Sequence, residues 1–230
     1  KDGQFYYSYG HSADGVSTGG TSSAFGPKFD GQYYFQYDPA VQGQSPTRQL
    51  WRPYKDNVKG FWEVGSTYSN SVSLEQANDR TSFRTSLTYL DNEWMMPNTG
   101  FNRFNFAGSL SHKLNDRLKI STKLAYSRMK SDNLPATGYN NQSISYFMIF
   151  QNPNVDLKWY QPIWKNGQEQ IDQIHPFSSF IDNPYLIAYE MLNGVDKRTI
   201  SGSMTVDYNF NNHFSMMFRS GIEVLNEERT

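Results

Sequence analysis

Residues 199–224, TISGSMTVDYNFNNHFSMMFRSGIEV, contain the clearest structural signal in the chain. On both sides of the dipeptide Asn211-Asn212, apolar residues occupy most second positions and polar residues lie between them. A period of two is the signature of strands with two different faces, and an Asn dipeptide is typical of a two-residue turn that tolerates positive φ. The stretch therefore predicts an antiparallel hairpin. Its apolar parity comprises Ile200, Met204, Val206, Tyr208 and Phe210 before the turn, and Phe214, Met216, Phe218, Ile222 and Val224 after it.

Two earlier stretches repeat this pattern. Alternation over 104–126 centres on Asn115-Asp116, and weaker alternation over 72–89 centres on Asn78-Asp79. Runs of about ten to thirteen residues exceed the usual strand length of about 5–6 and suit a membrane-crossing strand, which needs about 9–11. The connections between these hairpins, about 91–101 and 131–197, are long. Short turns at one end and long loops at the other are typical of outer-membrane barrels.

Charge is distributed unevenly between the two faces of these strands. In the last two hairpins almost every charged residue lies on the polar parity, and the exceptions, His112 and Arg128, lie near strand ends. A cation that faces lipid at mid-membrane costs about 2–4 kcal/mol, which explains such segregation. The apolar parity is also rich in Phe, Tyr and Met, whereas a soluble core favours Leu, Ile and Val. We therefore favour a barrel over the alternative, a soluble β-sandwich.

The predicted fold is all-β, part of a large antiparallel transmembrane β-barrel with long extracellular loops and short periplasmic turns. Residues 1–68 are predicted to be a loop-rich segment in the early part of the barrel. Residues 69–230 are predicted to contain barrel strands, with a long extracellular loop at 131–197. Because lipid does not permit open sheet edges, we expect further barrel residues on both sides of this chain.

Composition excludes several functional classes. The 230 residues carry 21 Lys+Arg against 22 Asp+Glu, and this net charge of −1 removes the electrostatic case for a general nucleic-acid binder. The absence of Cys excludes disulfide scaffolds, Cys-ligated zinc and thiol catalysis. The sequence contains no HExxH, P-loop or Gly-x-Ser-x-Gly pattern. We predict that the protein is not an enzyme and has no cofactor, and we identify no catalytic or metal-ligating residues.

Several short segments resemble, in the same order, those of the SusC-like (RagA-like) TonB-dependent outer-membrane transporters of Bacteroidetes. The clearest are AFGPKFDG at 24–31, PYKDNVKGFWEVG at 53–65 and PNTGFNRFNF at 97–106. Weaker matches follow at 130–133 and 183–185. The first segment contains the residues that match the family motif: Gly26, Pro27, Lys28, Asp30 and Gly31.

This resemblance implies a location and a function. Such proteins carry an N-terminal plug inside a barrel of about 22 strands in the outer membrane. They import oligosaccharides or peptides with energy passed on by the TonB system, and a SusD-like lipoprotein covers the extracellular mouth. The resemblance thus implies outer-membrane lipid, TonB and this lipoprotein as partners, with the plug and TonB box outside this chain. A barrel of this family acting as a scaffold or assembly partner, and a soluble carbohydrate-binding β-sandwich, remain the alternatives.

Aromatic residues in the long 131–197 connection have two interpretations. Exposed rings could contact a ligand or partner. Alternatively, a connection of this length needs a small core of its own, which Ile163, Ile171 and Ile174 would join, and we favour this interpretation. The candidate contact residues are Trp159, Tyr160, Trp164, Phe177 and Phe180.

Overall fold

A computed structural model describes residues 11–12, 15–16, 28–176 and 181–230. Six short strands come first: β1 His11–Ser12, β2 Gly15–Val16, β3 Tyr33–Tyr34, β4 Tyr37–Asp38, β5 Gly43–Gln44 and β6 Gln49–Leu50. Six long strands follow: β7 Ser66–Ala77, β8 Thr81–Glu93, β9 Gly100–Lys113, β10 Leu118–Asn133, β11 Val195–Asn209 and β12 Ser215–Arg229. The helices are α1 Ile144–Phe150 and α2 Pro184–Tyr189, with 3₁₀ turns at Lys59–Phe61 and Leu157–Tyr160.

The chain divides into two compact units. The sheet unit comprises 65–94, 99–134 and 193–230, and the loop unit comprises 1–64, 95–98 and 135–192. The predicted division of the chain into 1–68 and 69–230 differs from these two units and stays a prediction.

The six long strands form one antiparallel meander in the order β12-β11-β10-β9-β8-β7. All three predicted hairpins are present in it, so the antiparallel β architecture is confirmed. Within the described residues, β7 and β12 are the outer strands and the sheet is not closed into a barrel.

Cross-strand register aligns the apolar parities of all six strands. Val206 lies opposite Ile120 on one side and Phe218 on the other. Opposed residues share a face of the sheet, so a one-residue slip in any pair would mix the two faces. One complete row of the apolar face consists of Val72, Leu87, Phe106, Tyr126, Ile200 and Val224.

The three tight turns share one mechanism, which differs from the predicted one. Asn115 Oδ1 accepts hydrogen bonds from the backbone N–H groups of Arg117 and Leu118, at 2.9 Å each. Asn78 and Asn211 do the same for the second and third residues after them. No residue of these three described turns adopts positive φ. The prediction of a two-residue turn with positive φ is therefore wrong: Asn acts through its side chain, as in an Asx turn.

The strands run further than their alternation indicates. Strand β8 continues to Glu93 and β9 starts at Gly100, so the connection predicted at 91–101 shrinks to 94–99. Similarly, the connection predicted at 131–197 covers 134–194. Polar residues at these ends interrupt the hydrophobic alternation, yet their backbones remain in the ladder.

The loop unit has a hydrophobic core of its own. Helix α1 contains the five-residue apolar run 146–150 and begins after Ser143, whose hydroxyl accepts the N–H of Tyr146. Helix α2 begins after Asn183, which is fully buried and accepts the N–H of Tyr185. The Asn183 amide also donates to the carbonyl of Tyr160 at 2.9 Å. The core comprises Phe61, Met96, Ile144, Tyr146, Phe147, Phe150, Val155, Leu157, Tyr160, Ile181, Ile187 and Ala188.

Candidate functional site

The apolar face of the sheet is exposed. The side chains of Phe218 and Ile222 are 58% and 66% exposed, and those of Val72, Leu124 and Ile200 are exposed as well. Scattered surface hydrophobic residues are ordinary, but a contiguous face of them marks a surface that contacts a membrane or another protein. This face is therefore the first candidate functional surface.

The opposite face is polar and combines many small residues with charged ones. Hydroxyl groups pair across strands, as in Ser111 with Ser121 at 3.1 Å and Ser71 with Thr88 at 2.7 Å. A groove of about 800 Å³ runs over this face. Its lining includes Ser86, Ala107, Ala125, Ser201 and Glu223. Small side chains leave space above the sheet, and their hydroxyls can bind water or a polar solute.

Charged residues appear on the apolar parity at the end distant from the Asx turns. Arg128 donates two hydrogen bonds to the carboxylate of Asp196, at 3.1 and 2.6 Å, and Arg198 donates two more, at 3.3 and 2.8 Å. In the register, this ion-pair group comes directly after the row that contains Tyr126 and Ile200. Arg128 was predicted to lie near a strand end, but β10 continues beyond it to Asn133.

The candidate aromatic residues of the loop unit differ in accessibility. Tyr160 is 1% exposed and packs edge-on against Phe147, with ring centroids 5.3 Å apart. Trp159 is half-buried, and its ring lies 5.0 Å from Tyr54. Trp164 is half-buried and forms a β-bridge with Gln173. Phe177 and Phe180 lie outside the described residues. Tyr160 therefore serves the core, while Trp159 and Trp164 retain partial exposure.

The isoleucines that were expected to join this core behave differently from one another. Ile174 is 1% exposed, Ile163 is half-buried, and Ile171 is 79% exposed. The expectation for Ile171 is therefore wrong: its side chain projects from the turn that follows Gly167, a residue with positive φ. Elsewhere in the loop unit, burial raises the pKa of Tyr185 and of Tyr189, so both phenols stay neutral.

The segment that matches the family motif lies partly within the described residues. Gly26 and Pro27 are outside the described residues. Lys28 and Asp30 are bridged by Gln32, whose side-chain amide donates to the Lys28 carbonyl at 3.0 Å and accepts the Asp30 N–H at 3.1 Å. Gly31 has φ of 96°, a conformation that favours Gly. These motif residues therefore form a compact turn.

The described residues contain no group of three or more His, Asp or Glu side chains that could hold a metal. Across the same described ranges, none of the helices has the length and apolar character required to span a membrane.

Part of the chain is similar to a known protein. No family model matches the chain. A stretch of 74 residues is 31% identical to the TonB-dependent receptor P26 of Formosa agariphila, and it covers 32% of this chain and 7% of that receptor. This likeness supports a relation to TonB-dependent receptors in general and, more weakly, a place in outer-membrane transport.

Proposed function

We propose that this chain forms part of the membrane-spanning wall of a SusC-like, TonB-dependent outer-membrane transporter that imports oligosaccharides or peptides. The observation that carries the proposal is a six-stranded sheet with one exposed apolar face and one polar face that is rich in small residues. Lipid would cover the first face, and the solute pathway would run along the second.

The dimensions of the apolar face support this assignment. At the usual rise per residue, the apolar parity of β11 from Ile200 to Tyr208 extends about 26 Å along the strand. With a tilt of about 40°, it covers about 20 Å of membrane thickness, close to the apolar band of about 25 Å in outer-membrane barrels. Tyr208 and Tyr126 lie near its two limits, where aromatic girdles occur.

The outer strands of the sheet indicate what surrounds it. Unpaired backbone groups cost several kcal/mol each in lipid, so β7 and β12 both require neighbouring strands. We infer that further strands complete a wide barrel of about 22 strands, in which the lumen is not filled by side chains.

The connections support an orientation. The three Asx turns occupy one end of the sheet, and the connections 94–99 and 134–194 leave from the other. Outer-membrane barrels have short periplasmic turns and longer extracellular loops. The loop unit would therefore lie outside the cell, where a SusD-like lipoprotein contacts it.

Nitroxide labels at adjacent residues of β12 test the assignment of the faces. In native outer membranes, we expect lipid-soluble oxygen to accelerate the relaxation of a label at Phe218. An aqueous nickel complex should accelerate the relaxation of a label at Arg219. Equal relaxation of both labels by the nickel complex would contradict a lipid-facing Phe218. Recovery of the protein without detergent would instead support the soluble carbohydrate-binding β-sandwich.

A substitution in the exposed turn of the loop unit tests the partner. Ile171→Asp should reduce co-purification of the SusD-like lipoprotein without lowering the amount of barrel in the membrane, because the side chain is outside the core. Gln168→Asp, in the same turn, is the matched control and should retain the lipoprotein. Full recovery of the lipoprotein with Ile171→Asp would remove this turn from the interface.

A further inference from the structure

Basic residues cluster on the polar face, close to the Asx turns. The register places them in three adjacent rows, which we call the basic strip. The only carboxylates on the polar parity of these described rows are Glu75 and Asp207. The cations of the strip are Arg84, Lys113, Lys119, Lys123 and Arg219. The sequence shows that each lies on the polar parity, but only the pairing of the strands brings them together.

The charges of the strip are poorly compensated. Lys113 lies directly opposite Lys119, a like-charge pair that disfavours sheet formation. Among the described residues, no carboxylate forms an ion pair with either of these lysines, with Lys123 or with Arg219. Arg84 has only a contact of 3.9 Å with Glu75, between two side chains that are both mostly exposed, and such pairs contribute little. Asp207 lies opposite Lys119 in the register, so five cations share two carboxylates and the strip keeps an excess of positive charge.

The strip borders open space. Arg84 and Lys123 line the groove of about 800 Å³ and also an adjoining one of about 710 Å³, which Lys119 lines as well. Serine residues, including Ser109 and Ser121, lie between the cations. Each groove also has one carboxylate in its lining, Glu223 in the first and Glu75 in the second, so the cations outnumber the anions in both. A concave surface with an excess of positive charge concentrates anions, and hydroxyls add hydrogen bonds to their oxygen atoms.

The composition of the strip favours a hydrated solute over a tightly packed protein segment. The cores of protein interfaces are enriched in aromatic residues, Met and Arg and depleted in Lys. Within the described rows of the strip, Met217 is the one large apolar residue on the polar parity. A packed segment would find few anchors here, whereas mobile lysine ammonium groups suit an anion that must also leave.

We infer that the basic strip binds carboxylate or sulfate groups of the transported solute, so that the transporter prefers anionic oligomers over neutral ones. Lys119 and Lys123 are about 13 Å apart along β10, a separation that suits an extended oligomer with repeated charges. This inference rests on the proposed function, since it requires the polar face to border the solute pathway.

A binding experiment with a defined polyanion tests the inference. The full-length protein, purified from outer membranes in detergent, is titrated with fluorescent dextran sulfate oligomers and with neutral dextran of equal length. We expect Lys119→Gln/Lys123→Gln to weaken dextran sulfate binding about tenfold at low ionic strength and to reduce its salt dependence. Binding of neutral dextran should not change, and Lys119→Arg/Lys123→Arg should retain most of the affinity.

The controls separate the possible outcomes. Lys55→Gln/Lys59→Gln removes two exposed charges of the loop unit and should leave dextran sulfate binding intact. The inference would be overturned if the Lys119→Gln/Lys123→Gln variant, present in the outer membrane at the normal level, bound dextran sulfate as tightly as the wild-type protein does. A loss of thermal stability in that variant, with binding retained, would assign the strip to an acidic segment of protein instead. Absence of the wild-type protein from the outer membrane would contradict the proposed function itself.

Discussion

The sheet unit and the loop unit use the same apolar residue types and place them in opposite environments. In the loop unit, Ile144, Tyr160 and Ile174 are each 1% exposed. In the sheet unit, Phe218 and Ile222 are more than half exposed although they belong to regular strands. Buried apolar area is the main source of stability in water, so the loop unit contains the stabilising core of an ordinary water-soluble protein. The sheet needs a different apolar environment, which lipid would supply under the proposed function.

The two units also use polar residues differently. In the loop unit, the amide of Asn183 is buried and bonds to several backbone groups, which compensates its removal from water. On the sheet, Ser and Thr hydroxyls line an exposed face and Asn carboxamides close the turns. The same chemical groups thus hold a core together in one unit and form a hydrated surface in the other.

Removal of a core ring should have the largest effect on the loop unit. Tyr160→Ala deletes a fully buried aromatic side chain and should lower the free energy of unfolding by about 3–5 kcal/mol. Near-ultraviolet circular dichroism during denaturant unfolding would measure the change. Ile171→Ala is the control and should stay within about 0.5 kcal/mol. Similar losses in both variants would contradict the difference in their burial.

A charge on the apolar face should have the next largest effect. Met204→Arg places a guanidinium near the middle of the apolar rows, and insertion should become less favourable by up to about 2–4 kcal/mol. Ser201→Arg, on the opposite face beside Glu223, is the matched control. The amount of each variant in the outer-membrane fraction, with equal synthesis, gives the comparison. Equal levels would mean that lipid does not face Met204.

Disruption of one turn should have the smallest effect. Asn115→Ala removes the acceptor for two backbone N–H groups, at a cost of about 0.5–2 kcal/mol by analogy with helix N-caps. Asn115→Asp keeps an acceptor oxygen in the same place and should be nearly neutral. Amide hydrogen exchange at Arg117 and Leu118 reports the local effect. Faster exchange in both variants, or in neither, would show that the carboxamide does not close the turn.

Much of the sheet could be predicted from the sequence because its signals are local. Alternation around the Asn dipeptides identified all three hairpins, and parity identified both faces. The strand ends were placed too early, since Asp91, Asn92 and Glu93 carry no alternation although their backbones stay paired. The type of turn was also wrong, because an Asn residue can close a turn through its side chain as readily as by positive φ.

The core and the basic strip depend on contacts between residues distant in sequence. Tyr160 and Trp159 are adjacent, and sequence treated them alike, yet the first is buried and the second only half-buried. Likewise, Arg84 and Lys123 line one groove because the pairing of β8 with β9 and of β9 with β10 aligns them. Alternation is a property of each strand alone, so the sequence could determine which face a residue occupies. Which residues meet on that face, and which rings are buried, depended on register and packing, because both arise from the simultaneous pairing of many distant segments.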